Sequence, residues 1–175
     1  TVTTIPEENY NAVSENATIT VRKINSTLTV NDLTFDYTSK GITTATFIGA
    51  TGIKAEVVNQ SEAVVNVYGS NISVSNLNAG TYTLSVTTIA DSNHNPVTRT
   101  AKVTVNKLKT QITAKSIAAT YNVNKNLLIT LKDSKGNVLS GVNLTVMLKG
   151  TNAYRTDKKG QIKVSTKGLA PKKYT

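Results

Sequence analysis

The sequence has no cysteine and no tryptophan. That excludes a disulfide framework and any thiolate-held metal centre. One histidine, His94, stands among 175 residues, so neither a multi-histidine zinc site nor a second imidazole for acid–base chemistry can be built. Aromatic residues are scarce, seven Tyr and two Phe, and no strand interleaves them with basic side chains as nucleic-acid-stacking surfaces do. No apolar run approaches the roughly 20 residues of a bilayer-spanning helix, and the first residues lack the charged-then-apolar order of an export signal. An exported chain of this kind carries such signals elsewhere in its polypeptide. Glycine-rich phosphate loops, nucleotide fingerprints and helix-borne acid pairs are absent too. No cofactor and no enzymatic activity are expected.

What is present is threonine (29), asparagine (19) and serine (13), with Val, Ile, Leu and Ala in short runs. This composition favours strands and turns over helices. Apolar residues recur with period two, as in Ala101-Lys102-Val103-Thr104-Val105 and Ala17-Thr18-Ile19-Thr20-Val21, the pattern of half-buried strands. Val142–Leu148 and Leu127–Leu131 behave likewise, and further strands are expected near 26–30, 42–48, 54–58, 63–68, 71–75, 82–89 and 161–165. Turn signals every 8–12 residues or so suit a sandwich.

An internal duplication organises the chain. Val2–Ile24 matches Val86–Leu108 without a gap, with 11 of 23 positions identical, and Leu77–Thr83 matches Leu169–Thr175 more weakly. We therefore expect an all-β chain of tandem immunoglobulin-like β-sandwich repeats. Residues 1–24 would be the last two strands of a preceding or complementing repeat, 25–108 a complete sandwich, and 109–175 a sandwich lacking its last two strands. Such a chain is two repeats cut out of phase, either by a cut through a longer array or because separate chains complete one another head to tail.

Asp133-Ser134-Lys135-Gly136 and Asp157-Lys158-Lys159-Gly160 place Asp first and Gly fourth in a turn. Tyr82, after Leu77-Asn78-Ala79-Gly80-Thr81, is placed to form a tyrosine corner, its hydroxyl returning to upstream backbone. Tyr174 would be its counterpart, although Lys172 stands where the first corner has Gly80. These segments, with Asp91-Ser92-Asn93-His94-Asn95, resemble the immunoglobulin-like repeats of adhesin-like surface proteins of methanogenic archaea. Leu131–Val142 and Thr156–Gly160 are similar to the bacterial Ig-like domains of invasin and intimin. The resemblance implies an extracellular, cell-surface protein that adheres or spaces, and whose partners are adjacent repeats or other copies of itself.

Charge divides the chain. Residues 1–24 carry two bases and three acids, 25–105 four and five, and 106–175 fourteen and two, so the excess of +12 sits in the last third. Lys158, Lys159, Lys172 and Lys173 make a candidate basic pole for an anionic wall polymer or host glycan; the alternative is a solvated, solubilising surface. Nucleic acid is not an expected partner. Sequons occur at Asn16, Asn25, Asn59, Asn71 and Asn143, about the number this composition yields by chance. His94, replacing Tyr10 of the matching unit, reads as a tolerant loop position.

Overall fold

The computed structural model describes residues 1–148 and 150–175, which form two compact units, Thr1–Asn106 and Lys107–Thr175. All regular elements among the described residues are strands. In chain order the first unit holds β1 (Val2–Thr3), β2 (Ser14–Glu15), β3 (Ile24–Asn25), β4 (Thr27–Val30), β5 (Leu33–Asp36) and β6 (Gly41–Ile48). It continues with β7 (Gly52–Val57), β8 (Val64–Tyr68), β9 (Asn71–Ser75), β10 (Gly80–Ile89), β11 (His94–Asn95) and β12 (Thr98–Asn106).

Two four-stranded sheets, β4-β6-β9-β8 and β5-β12-β10-β7, form its body. Lettered A to G in chain order, these are the A-B-E-D and A′-G-F-C sheets of an immunoglobulin-like sandwich. The first strand changes sheets: β4 pairs antiparallel with β6, and β5 pairs parallel with β12. The crossing is pinned by the Asn31 carbonyl, which accepts from the Thr43 hydroxyl at 3.0 Å, and by the Asp32 carboxylate, which accepts from the Lys102 amide at 2.7 Å.

Alternation decides which side chains meet inside. Leu84 and Val86 on β10, Ala101, Val103 and Val105 on β12, Ile72 and Val74 on β9, and Leu33 and Phe35 on β5 are buried in one cluster. Each such side chain contributes roughly 1.5–3 kcal/mol on leaving water. Gly41 is required by packing, since a Cβ there would strike the Phe35 ring.

The second unit has β13 (Thr110–Ala114), β14 (Asn126–Asp133), β15 (Asn143–Met147), β16 (Thr151–Arg155) and β17 (Gln161–Ser165). Strands β13-β14-β17 repeat the A-B-E sheet, and β15-β16 is a separate hairpin that supplies the C strand. No strand among the described residues takes the F and G positions. The buried cluster is thin, Ile129, Ile162 and Val164, with Leu127, Leu144, Val146, Leu148 and Tyr154 half-buried against it. Both Asp-led turns form: Gly136 and Gly160 adopt φ of +87° and +66°, and their amides donate to the Asp133 and Asp157 carbonyls at 3.0 and 2.9 Å.

Two expectations change. Ala17–Val21, read as a strand from its alternation, lies outside any strand; an alternating segment needs a neighbouring strand to hold its backbone groups, and none is beside it. Strands β5, β13 and β16 arise where no alternation was read, because register with a neighbour, rather than local pattern, fixes them.

Candidate functional site

Residues 1–25 are exposed throughout, yet they are not shapeless. Val2 and Thr3 pair with Glu15 and Ser14, the register in which Val86 and Thr87 pair with Arg99 and Thr98 in the duplicated segment. The bonds repeat as well. The Thr4 amide donates to the Val13 carbonyl at 3.0 Å and the Val13 amide to the Thr4 hydroxyl at 2.9 Å; for Thr88 and Val97 the distances are 3.0 and 2.8 Å. Thr3 and Ser14 hydroxyls lie 2.9 Å apart, as Thr87 and Thr98 hydroxyls do at 2.8 Å. The first residues thus form a ribbon with the register and bonds of the β10–β12 pair. In the body that ribbon's inner face is covered, with Val86 and Val103 at 0% exposure; their counterparts Val2 and Ile19 stand 71% and 87% exposed.

The second unit presents the converse, an edge with no ribbon. Strand β15 is paired along one side by β16, from Asn143↔Arg155 to Met147↔Thr151. No strand among the described residues lies along its other side. In the first unit the equivalent strand β7 is flanked there by β10.

Where the chain passes from the ribbon into the sandwich, the loop between β10 and β12 grips it. β11 pairs parallel with β3, the Ile24 and Ser26 amides donate to the Asn93 and Asn95 carbonyls at 3.2 and 3.0 Å, and Lys23 Nζ donates to the Asp91 carbonyl at 3.0 Å. Ser26, 5% exposed, donates its hydroxyl in the direction of both Gly49 O (2.6 Å) and Asn95 O (2.9 Å). The loop is itself held by Asp91, whose carboxylate accepts from the amides of Asn93 and His94 and touches His94 Nδ1 at 2.9 Å. Those bonds, the Asn93 amide first, hold the Asp91 carboxyl below its ordinary pKa. His94 is therefore not the tolerant loop position its exchange with Tyr10 suggested; its ring lies over Gly49, whose φ is +72° and where a Cβ would collide with it. Ser26 and Asp91 carry no sequence signal that separates them from other serines and loop acids.

The remaining candidates are scattered rather than convergent. The Tyr82 hydroxyl donates to the Asn78 carbonyl at 2.8 Å and that of Tyr174 to the Ala170 carbonyl at 3.1 Å. Lys158, Lys159, Lys172 and Lys173 are exposed, with Lys172 Nζ 5.1 Å from the Tyr174 ring centroid. Asn16, Asn25, Asn59, Asn71 and Asn143 are all exposed. Two shallow depressions of the first unit, about 730 and 530 Å³, have Glu56 and Glu62 as their respective carboxylates. No helix among the described residues is long and apolar enough to cross a membrane.

No family model matches the chain, and no curated protein matches it. Among solved structures it is similar to the D00–D0 domain of intimin, with 14% identity and a TM-score of 0.39 over 80% of this chain and 84% of that one. It is similar to domains 1–6 of the surface layer protein SbsC, with 12% identity and a TM-score of 0.39 over 90% of this chain and 26% of that one. The fibronectin(III)-like modules of Clostridium thermocellum CbhA give 12% identity and a TM-score of 0.36 over 79% and 78%. The fold assignment itself rests on the strand order and register described above.

Proposed function

We propose that this chain is a non-enzymatic structural and adhesive repeat of the extracellular cell surface, of the adhesin-like kind, which serves in a stalk or filament of tandem sandwiches. The observation that carries this reading is the ribbon of residues 2–21. It has the register and threonine bonds of a working F–G pair, while the apolar face that such a pair buries is bare. The second unit has the A-B-E sheet and C hairpin of a sandwich, so parts of successive sandwiches follow one another along one chain, the arrangement of a tandem stalk. Residues 25–108 serve as a self-sufficient spacer, and the Tyr82 hydroxyl, bonded to the Asn78 carbonyl, braces the start of β10.

The test is mechanical. A single chain stretched through its ends should unfold residues 25–108 in one abrupt step at high force. A smooth extension with no force peak contradicts the proposal.

A second reading draws on the exposed lysines and the +12 charge of residues 106–175: this unit binds an anionic wall polymer or glycan. Retention on such a polymer that falls steeply with salt supports it; no retention at low salt rejects it.

A further inference from the structure

We infer that β8 of the complete sandwich is a docking edge for a second copy of this chain. The two β8 strands pair antiparallel about a two-fold axis, with Asn66 opposite Asn66, Val65 opposite Val67 and Val64 opposite Tyr68. This chain fills every position from A to G of that sandwich, so the edge belongs to a finished fold. The inference goes beyond the stalk reading and does not require it.

The sandwich has two sheets and therefore four edges. Three of them are blunted in the ways that keep folded proteins from pairing with one another. β7 carries Lys54 and Glu56 on its outward face. β4 and β5, of four residues each, are halves of one strand that bends from sheet to sheet, and β5 ends in Asp36. The fourth edge, β8, reads Val64-Val65-Asn66-Val67-Tyr68, without a charge, a proline or a glycine. β9 pairs with it along its whole length on one side, and no strand among the described residues lies on the other. Val64, Val67 and Tyr68 are exposed, and the larger of the two depressions, bordered by Ala63 and Val65, opens beside the strand.

The turn after β8 sets the register. Gly69, at φ +58°, and Ser70 make a two-residue connection to β9. The residues flanking such a turn, Tyr68 and Asn71, exchange both backbone hydrogen bonds, and so in alternation do Asn66 with Ser73 and Val64 with Ser75. Val65 and Val67 therefore direct their amides and carbonyls to the free side, and two such edges bond only where these residues meet. Setting Val65 against Val67 of the second copy engages all five residues of each strand and forms four backbone hydrogen bonds. Setting Val65 against Val65, or Val67 against Val67, leaves one end of each strand beyond its partner. The full-length register is isologous and closes as a dimer.

In that register the side chains suit a copy of the same strand. On the outer face Val64 meets Tyr68 at both ends, a β-branched and aromatic cross-strand pair. The two Asn66 amides, each a donor and an acceptor, meet at the axis. On the inner face Val65 of each copy meets Val67 of the other. No like charges are set opposite one another. An unrelated extended peptide would gain the backbone bonds without these matches.

Because the chain has no cysteine, an introduced thiol reports only on its own counterpart in a second copy. Asn66 is exposed, and at the axis it forms a non-hydrogen-bonded pair with Cα atoms about 4.5 Å apart, within disulfide reach. Under mild oxidation, Asn66→Cys chains should give at least tenfold more disulfide dimer than Val64→Cys or Tyr68→Cys chains, whose thiols are staggered four residues apart, roughly 13 Å. Val64→Cys and Tyr68→Cys chains mixed together should join to each other. Preferential self-linking at 64 or 68 overturns the register. Linking at all three no greater than that of Thr100→Cys, exposed on the outer face of β12, overturns β8 as the docking edge. Charge provides a second test by sedimentation at high concentration. Asn66→Lys and Asn66→Glu, each placing like charges face to face at the axis, should lower the dimer fraction at least tenfold with melting unchanged, and an equal mixture of the two should restore it. A parent chain that is monomeric throughout, or variants that dimerise as the parent does, would sink the inference and leave the force peak of the stalk reading untouched.

Discussion

Residues 86–105 and residues 2–21 are near-copies in two environments. In the first environment the nine-residue strand β12 runs beside β10 over a closed core. In the second only two residues pair on each side, and the inner face is bare. The threonine bonds that close the ribbon survive in both, so they are local properties of the sequence. The long strands survive in only one, so they belong to the sandwich: strand length there is maintained by burial on one face and by pairing with β7 and β5 on the outer sides. A sequence pattern of period two states which face would be buried, not whether a partner is there to bury it.

The largest expected break of this comparison is in the cores. Leu84→Ala, at a side chain with 0% exposure, should cost about 2–5 kcal/mol through lost transfer energy and a cavity. Ile19→Ala, at a position 87% exposed, should leave the stability of the chain within about 0.5 kcal/mol of the parent. Denaturant unfolding of both variants measures the gap; equal effects would show that the ribbon is packed on a sandwich.

A finer break uses the threonines. Thr88 is 1% exposed, and its hydroxyl accepts from the Val97 amide at 2.8 Å, so Thr88→Val strands a buried donor and should cost about 1–3 kcal/mol. Thr4→Val removes the same bond in water, where solvent replaces it, and should change stability by less than about 0.5 kcal/mol. The same unfolding measurement compares the two variants.

The smallest effect is in acid. Asp133 accepts from the Asn137 side-chain amide at 3.0 Å and from the Asn137 and Lys135 amides at 2.9 Å each, and these bonds, the Asn137 side chain first, hold its carboxyl below the ordinary value. A carboxyl lowered in the folded state stabilises it fully above the unfolded value of about 3.9, and the contribution is lost as pH falls through the lowered folded value. Asp133→Asn should therefore flatten the acid limb of the second unit's stability against pH and leave neutral-pH unfolding cooperative. An unchanged acid limb would assign it to other carboxyls.

Much of the fold was legible. The alternation at 101–105 and 142–148, the Asp-x-x-Gly turns and the ungapped duplication name the strand positions and the sandwich class, because each reflects a local rule of backbone geometry. β5 was not legible, since Leu33-Thr34-Phe35-Asp36 is too short to establish a period and becomes a strand only by lying parallel to β12. The grip on residues 23–26 was equally hidden. It uses backbone carbonyls of Asn93 and Asn95 and one serine hydroxyl, groups that every chain has and that only the fold brings together. His94 misled for a related reason: its exchange with Tyr10 suggested tolerance, whereas the ring is specified by Gly49 and Asp91, far apart from it or weakly marked in sequence.

The parallel pairing of β5 with β12 has a mechanical consequence. The first of these strands leads in from the start of the sandwich and the second leads out at its finish, and they lie side by side over Val103↔Leu33 to Asn106↔Asp36. Tension applied through the two ends pulls these strands in opposite directions along their length. Their hydrogen bonds are then loaded in shear and must fail together, whereas bonds in a hairpin pulled at its open end would peel one after another. The same geometry recurs on a smaller scale where β3 lies parallel to β11. A sandwich clamped in this way resists stretching through its ends, because the bonds of the clamp share the load instead of failing in turn.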